Sequence, residues 1–594
     1  MSDITHQSPE MAARRPFTPF TKPSPDPFRP LPHIPLLYPP SRTIQIMSAF
    51  TFENIVTASA LHPKPQNIQF TYGTAGFRMK ASLLDSIMFR VGLIAVLRSK
   101  KLDGSVIGVM ITASHNPEED NGVKLVDPRG EMLEQSWEVY ATSLANAPND
   151  DALVETLERI IAQNKIDVNK PSNILYAYDT RPSGPALVAS LEDAIKAAGS
   201  SYTNFGLKTT PQLHYGVRCL NTQGTNDAYG EPTEIGYYNK LATAFRQIVS
   251  DKQRLSPLYV DCANGVGAPK LRELIEVIGE DIISVNIVND KIGVEGALNH
   301  NCGADYVKTG QRLPPGSTVT SGDRAASFDG DADRLVYYYV DTDGTFRLLD
   351  GDKIAGLSAM FIMDLVQAAG VDSIKVGVVQ TAYANGNSTT YLTKVLKVPV
   401  SCVSTGVKHL HHEAEKYDVG VYFEANGHGT VLFSAEALQT IRTAKGRTPA
   451  QTTAIAQLRA LTDLINQTVG DALSDMLLVE AILTHRQWSL KEWDQAYTDL
   501  PNRLVKVVVA NRHIFKTTNA ERQLVEPAGL QADIDALVAK YTSGRSFVRA
   551  SGTEDAVRVY AEAATRAETD ELAFRVAELV FDKAGGVGTR PARV

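Results

Sequence analysis

Cysteine is scarce. The 594 residues hold four, Cys219, Cys262, Cys302 and Cys402, far apart and never as C-x-x-C, which argues against a disulfide framework or a zinc site. A reducing compartment fits, and a cytoplasmic location is the expectation. Long apolar runs are missing too: no stretch of about 18 apolar residues could span a bilayer, the first residues carry no apolar signal core, and no lipidation motif ends the chain. No membrane association is expected. Positive charge is not in excess either, since 59 Lys and Arg against 67 Asp and Glu give a formal net charge of −8 with both signs interspersed. Without a basic stripe, nucleic acid is not an expected partner. A small anion stays open, because a few Arg, Lys and backbone N–H groups converging locally bind a phosphate ester whatever the net charge. The Walker A pattern G-x-x-x-x-G-K-[ST] occurs nowhere.

What is present is an ordinary globular composition, 43% hydrophobic and 21% charged, in a chain too long for one core. Residues 1–46 stand apart: they hold 11 of the 30 prolines and read as extended, solvated chain. They suit an unstructured leader ahead of a working start at Met47, or a proline-rich ligand or transit peptide. From about residue 65 a short apolar run, a loop rich in Gly, Asn, Asp and Pro, and a helical stretch recur. The clearest runs are Val106 to Ile111, Ile174 to Tyr178, Leu258 to Val260 and Val376 to Val379. Such alternation predicts repeated α/β units with ligands gathered beyond the carboxyl ends of the strands. After about residue 480 the pattern changes, ending in a hairpin-like pair, Ser546 to Ala550 and Val557 to Ala561, and a smaller α+β domain is expected there. Leu458, Leu461, Leu464 and Ile465 at helical spacing predict a core-facing helix before it.

Four runs carry chemistry. In the first, Ile111-Thr112-Ala113-Ser114-His115-Asn116-Pro117, an apolar strand gives way to a loop, so that the Ser114 hydroxyl stands exposed on a rigid support. His115, Asn116 and Lys124 near a serine suit an oxygen bearing dianionic phosphate. Taken alone, the run equally suits a serine that caps a turn; no G-x-S-x-G elbow surrounds it, so a serine hydrolase fits poorly. In the second, Asp329-Gly330-Asp331-Ala332-Asp333-Arg334, three carboxylates at alternate positions can converge on a hard divalent cation, or else form a solvated acidic turn. An EF-hand needs Gly at the sixth and Glu at the twelfth position, where this chain has Arg334 and Val340, so Mg2+ suits the loop better than Ca2+.

The third run is Arg549-Ala550-Ser551-Gly552-Thr553-Glu554, with Arg558 further on: an arginine fork, two hydroxyls and glycine-freed N–H groups make a cradle for a phosphate monoester. The fourth is Tyr422-Phe423-Glu424-Ala425-Asn426-Gly427-His428-Gly429-Thr430, with Thr405-Gly406-Val407-Lys408 upstream. Its Glu and Asn side chains can bracket sugar hydroxyls or an amide substituent. Each of these also suits, by itself, a plain hairpin loop.

Together, in this order, the runs resemble the α-D-phosphohexomutase family over roughly residues 50 to 570. The Glu424-Ala425-Asn426-Gly427-His428-Gly429 form, with Leu298-Asn299-His300 and Cys302-Gly303-Ala304-Asp305, resembles the family's eukaryotic N-acetylglucosamine branch. The resemblance implies a four-domain α/β architecture, three related mixed α/β domains and a smaller C-terminal α+β domain around a central cleft. The domains would be residues 47–238 with the phosphoserine loop, 239–345 with the metal loop, 346–477 with the sugar loop and 478–594 with the phosphate loop, after the leader 1–46. It implies a reversible conversion of N-acetylglucosamine 6-phosphate to the 1-phosphate, on the route to UDP-N-acetylglucosamine, through a phosphoserine and a 1,6-bisphosphate. By the same resemblance Mg2+ would sit on Asp329, Asp331, Asp333 and phosphorylated Ser114. Arg78, in Tyr72-Gly73-Thr74-Ala75-Gly76-Phe77-Arg78, would contact phosphate, and Lys124 and His300 would be general acid/base candidates, with His115 beside the reacting serine. Thr405, Gly406, Lys408, Glu424, Asn426, Gly427 and His428 would hold the sugar, and Arg549, Ser551, Gly552, Thr553 and Arg558 its phosphate. The rival expectations are a phosphoglucomutase or phosphomannomutase, a metal-dependent phosphatase, and a non-catalytic sugar-phosphate sensor. Residues 219–240 look like a local insertion.

Overall fold

A computed structural model describes residues 43–44, 49–73, 76–551 and 555–591. Most of the proline-rich stretch lies outside the described residues, as do Gly552 and Thr553.

The first sheet runs Thr43–Ile44, Ser201–Leu207, Asn173–Tyr178, Val106–Ile111, Asp120–Val126, Phe77–Lys80. Val106–Ile111 lies parallel to Asn173–Tyr178 and antiparallel to Asp120–Val126. Its unbroken apolar sequence follows from helices covering both faces, Asp85–Lys101 and Gly184–Ala197 on one and Thr210–Thr222 on the other. One pairing departs from expectation. Thr43–Ile44, inside the stretch read as leader, forms a short strand antiparallel to Ser201–Leu207. It satisfies backbone groups that this edge would otherwise leave open.

The second sheet orders Phe346–Leu349, Leu335–Val340, Arg324–Phe328, Leu258–Asp261, Val285–Val288, and the third orders Val400–Val403, Val376–Thr381, Val419–Phe423, Gly429–Phe433. The last part of the chain is α+β: Asn502–Val508, Ala556–Glu562 and Arg545–Ala550 form an antiparallel sheet backed by helices Leu530–Val538 and Arg566–Lys583. The recurring units and the smaller final domain are thus as the sequence pattern predicts, with strand ends shifted by one or two residues.

Cores do not follow sheets one for one. The first and last sheets each bury their own apolar cluster, but the second and third share one. Helices Glu234–Val249, Gly351–Ala369, Pro449–Leu464 and Ala472–Arg486 pack into that shared core, where the expected Leu458, Leu461 and Leu464 lie buried. Among the described residues no helix is long and apolar enough to cross a membrane.

One topological feature places the chemistry. Three of the runs singled out in the sequence are hairpin connections between antiparallel neighbours, 112–119, 329–334 and 424–428, and the fourth falls between the antiparallel strands Arg545–Ala550 and Ala556–Glu562. A hairpin tip projects from the sheet end while the paired strands fix its base, so side chains there are both presented and held.

Candidate active site

Ser114 sits just past Val106–Ile111 with φ 53°, the left-handed region that L-residues avoid without local support. Support comes from three sides. Its N–H donates to Thr112 Oγ1 at 2.9 Å, and Thr112 in turn donates to Asp179 at 2.7 Å. Its carbonyl accepts from Arg181 Nη2 at 3.0 Å and Asn299 Nδ2 at 2.8 Å. Its hydroxyl donates to Asp329 Oδ2 at 2.7 Å, across 215 positions of sequence. The exposed hydroxyl expected from sequence is therefore corrected: Ser114 is 1% exposed, because the metal loop closes over it.

That closure depends on Gly330. A Cβ there would come within 2.6 Å of the Ser114 carbonyl and 2.7 Å of Asn299 Nδ2, so only glycine lets the two loops touch. The turn then brings Asp329, Asp331 and Asp333 together, all buried, each with an oxygen within 4.8 Å of the others. Asp329 Oδ1 accepts the N–H groups of Asp333 (3.0 Å) and Arg334 (3.2 Å). Asp331 Oδ2 accepts from Thr210 Oγ1 at 2.6 Å and Lys124 Nζ at 3.2 Å, and Lys124 also reaches Asp333 at 3.2 Å.

Burial and neighbouring charges act differently on the members of this cluster. Burial, then the charges of Asp333 and Asp331, hold the Asp329 carboxyl well above the usual carboxylate range. Burial acts the same way on Asp333, but Lys124 and His428 overcome it and hold this carboxyl well below that range. For Lys124, burial pulls the ammonium down, yet Asp331 and Asp333 outweigh it and leave it above the ordinary lysine value. Asp331 Oδ1 and Asp333 Oδ1 are out of water and accept no hydrogen bond, Asp333 Oδ1 lying 3.5 Å from His428 Nδ1 and 3.9 Å from Arg334 Nε. Hard oxygen donors with unused lone pairs, crowded into one buried turn, are what a small divalent ion such as Mg2+ relieves.

A cleft of about 290 Å3 opens beside this cluster. Of the residues expected from sequence, Arg78, Ser114, Lys124, Asp333, Thr405, Gly406, Lys408, Glu424, Asn426, His428 and Arg549 line it. The second and third hairpins are docked directly: Leu335 N–H donates to Gly427 carbonyl at 3.1 Å, and His428 Nδ1 lies 2.8 Å from the Asp333 carbonyl. Gly427 has φ 89°, and a Cβ on it would come within 2.0 Å of the Leu335 carbonyl. Lys408, though on the wall, is spoken for by the Leu133 carbonyl at 2.7 Å and by Glu138.

Several expected residues stand elsewhere. His300 is exposed and pairs with Asn301; its neighbour Asn299 is the one that reaches the serine loop. His115 Nδ1 is 3.5 Å from Ser114 Oγ but off the cleft wall, its imidazole pushed down to about 2 by burial and by Arg334 and Arg78. Arg558 is exposed, paired across the hairpin with Arg549, and Ser551 is buried at the base of that hairpin. Gly552 and Thr553 lie outside the described residues. The cleft also contains residues no spacing had marked, among them Tyr72, Met132, Thr210, His214 and Val469.

Residues 350–488 match the family description "Phosphoacetylglucosamine mutase AMG1, domain III" and residues 225–336 its domain II. Residues 93–147 and 504–579 match domain I and the C-terminal domain of "Phosphoglucomutase/phosphomannomutase". The chain is 54% identical to the phosphoacetylglucosamine mutase of Candida albicans, over 87% of this chain and 97% of that one. It is 52% identical to that of Homo sapiens, over 90% and 98%. The chain belongs to the phosphoacetylglucosamine mutase family.

Solved structures agree. The N-acetylphosphoglucosamine mutase of Aspergillus fumigatus is 57% identical and superposes with a TM-score of 0.88, covering 90% of this chain and 99% of that one. The same Aspergillus enzyme has been solved with GlcNAc-6P and magnesium, TM-score 0.87. Family membership makes the chain an enzyme of the mutase type, with the phosphohexomutase fold expected from the four runs.

Proposed function

We propose that this chain interconverts N-acetylglucosamine 6-phosphate and N-acetylglucosamine 1-phosphate, through phosphorylated Ser114 and a 1,6-bisphosphate, and so supplies the route to UDP-N-acetylglucosamine. The observation that carries it is the Ser114 hydroxyl 2.7 Å from Asp329 Oδ2, inside a buried three-carboxylate cluster on the wall of a cleft whose wall also includes Arg549. A serine so placed has no use in binding alone. Family membership and the Aspergillus enzyme solved with GlcNAc-6P and magnesium support the same substrate.

In this mechanism the free C1 hydroxyl of the 6-phosphate attacks the phosphorus on Ser114. The bond from phosphorus to Ser114 Oγ breaks as the new C1–O–P bond forms, Lys124 giving a proton to the departing Oγ and taking one from the C1 hydroxyl. The bisphosphate turns over in the cleft and returns its other phosphate to Ser114 Oγ, leaving the 1-phosphate. Asp329, Asp331, Asp333 and an oxygen on Ser114 would hold Mg2+, which would supply charge neutralisation for the moving group. Lys124, kept cationic by Asp331 and Asp333, adds positive charge beside the serine and acts as acid before it can act as base. Arg78, lining the cleft with Nε out of water and unpartnered, contacts phosphate. Glu424, Asn426 and His428 address the sugar, and Arg549 with residues 551–553 holds the phosphate that is not in transfer. Four domains at 47–238, 239–345, 346–477 and 478–594 each lend one hairpin to this site. The cytosol is the proposed location, consistent with four cysteines that form no disulfide.

Phosphorus NMR of the purified chain with N-acetylglucosamine 6-phosphate and Mg2+ tests this directly. Conversion to the 1-phosphate, a phosphoserine at Ser114 by peptide mapping, and loss of both in Ser114→Ala are expected. Faster turnover of glucose or mannose 6-phosphate would overturn the substrate, release of free phosphate at the isomerisation rate would make the chain a phosphatase, and full activity of Ser114→Ala would end the mechanism.

A further inference from the structure

A second, smaller hairpin of the C-terminal region, Lys516–Thr518 paired with Gln523–Glu526, turns through Asn519, Ala520 and Glu521, which have φ of 52°, 55° and 65°. Three consecutive non-glycine residues in the left-handed region form no ordinary hairpin turn. The turn ends by placing the Glu521 carboxylate between two groups from different sheets. Its Oε1 accepts from Arg549 Nε at 2.8 Å, and its Oε2 accepts from the Thr405 main-chain N–H at 2.8 Å. Arg549 stands on Arg545–Ala550 of the last sheet, and Thr405 follows Val400–Val403 of the third.

Arg549 and Thr405 both line the cleft, whereas Glu521 does not. The carboxylate stands behind the wall and ties the two together. Holding a guanidinium by Nε directs its terminal nitrogens the other way, toward whatever anion the cleft admits. Holding Thr405 by its amide fixes a residue whose own hydroxyl is out of water and without a partner. Thr405 is followed by Gly406 at φ 130°, which opens helix Val407–Ala414, so the Glu521 bond secures the point where this loop enters the helix.

We propose that Glu521 is a positioning residue of the mutase: it sets the separation between the arginine that holds the non-transferring phosphate and the Thr405 loop that faces the sugar. This role presupposes the mutase function proposed above. Because the same arginine serves the 6-phosphate, the 1-phosphate and the bisphosphate, Glu521 acts on the binding of all three and leaves the chemistry at Ser114 untouched.

The test is Glu521→Gln, which has the same size but only one acceptor oxygen and cannot serve both partners. The KM for N-acetylglucosamine 6-phosphate and for the 1-phosphate is expected to rise about tenfold in each direction, the scale of one charge-assisted hydrogen bond. The kcat and the melting temperature are expected to stay as in wild type. Glu521→Asp, charged but too short to span both, should fall between. In an Arg549→Lys background, which lacks Nε to be held, Glu521→Gln should raise KM by a smaller factor than in wild type. An unchanged KM, a fall in kcat at constant KM, or an undiminished penalty in the Arg549→Lys background would overturn the proposal. Should wild type show no turnover, the functional assignment falls. Calorimetric titration with N-acetylglucosamine 6-phosphate then decides Glu521 separately, weaker binding by Glu521→Gln sustaining its role and equal binding removing it.

Discussion

The Arg181 guanidinium donates to the Ser114 carbonyl at 3.0 Å, and the same side chain reaches the carbonyls of Asn116 (2.9 Å), Pro117 and Asp120 (2.8 Å) while Nε pairs with Asp179 at 3.0 Å. One buried arginine therefore threads the whole serine hairpin. Arg181→Ala would strand Asp179, only 2% exposed, and is expected to cost on the order of 3–5 kcal/mol of stability. Arg181→Lys keeps a charge for Asp179 but loses the fork that spans four carbonyls, so it should stay folded and lose about 10²-fold in kcat. Denaturant unfolding and initial rates on the two variants separate these effects; wild-type kcat in Arg181→Lys would show that the hairpin holds its shape without the fork.

Gly330→Ala isolates the contact between the first two hairpins. A Cβ 2.6 Å from the Ser114 carbonyl must push the metal loop off the serine, while the sheet beneath it is unaffected. Activity is expected to fall by about 10²-fold or more with only a small change in melting temperature, since a 1 Å misplacement at reacting groups is enough for that loss. Rates near wild type would mean the two loops need not touch.

Why the four hairpins were legible in sequence, and Arg181, Thr210, Asn299 and Glu521 were not, has a physical reason. Asp329, Asp331 and Asp333 alternate within one turn, and Ser114 follows an apolar strand, so local spacing alone marks each of these loops. Arg181 and Asn299 act on backbone carbonyls, which every residue has, and Thr210 and Glu521 meet their partners only after the sheets are assembled. Asn299 was one position from His300, the residue singled out: the type of chemistry drew attention to the imidazole, while the chain turned it to solvent. The burial of Ser114 is hidden from local sequence for a related reason, since the loop that covers it lies over 200 residues away. The shared core of the second and third sheets was equally hidden, because helix Glu234–Val249 precedes one sheet and packs against helices that follow the other.

The carboxylate cluster predicts how the protein responds to Mg2+. Asp331 Oδ1 and Asp333 Oδ1 are buried and accept no hydrogen bond, and a cation that satisfies them stabilises the fold by mass action, about 2.7 kcal/mol at 100 times its dissociation constant. Chelation should abolish turnover reversibly, and Mg2+ should raise the melting temperature of wild type. Asp331→Asn should lose most of that rise together with activity. An equal rise in the variant, followed by scanning fluorimetry, would take Asp331 out of the ion site.

The segment that leads into the C-terminal sheet predicts a pH dependence of stability. Asp499 lies between helix Leu490–Asp494 and strand Asn502–Val508, half-buried, with Oδ1 out of water and without a hydrogen-bond partner. Burial and the nearby Asp350 push its carboxyl up to about 7, against the pull of Lys353 and Lys308 and with a further push from Asp494. An unfolded aspartate titrates near about 3.9. Between those values the folded chain keeps a proton that the unfolded chain has lost, so this group withdraws stability as pH rises from about 4 to about 7 and withdraws no more above that. Asp499→Asn removes the penalty. The variant should melt above wild type at pH 8, by about 2 °C or more, with the gap narrowing steadily toward pH 5. A gap that stays constant across that range would mean Asp499 is ionised throughout, and that Lys353 and Lys308 outweigh its burial.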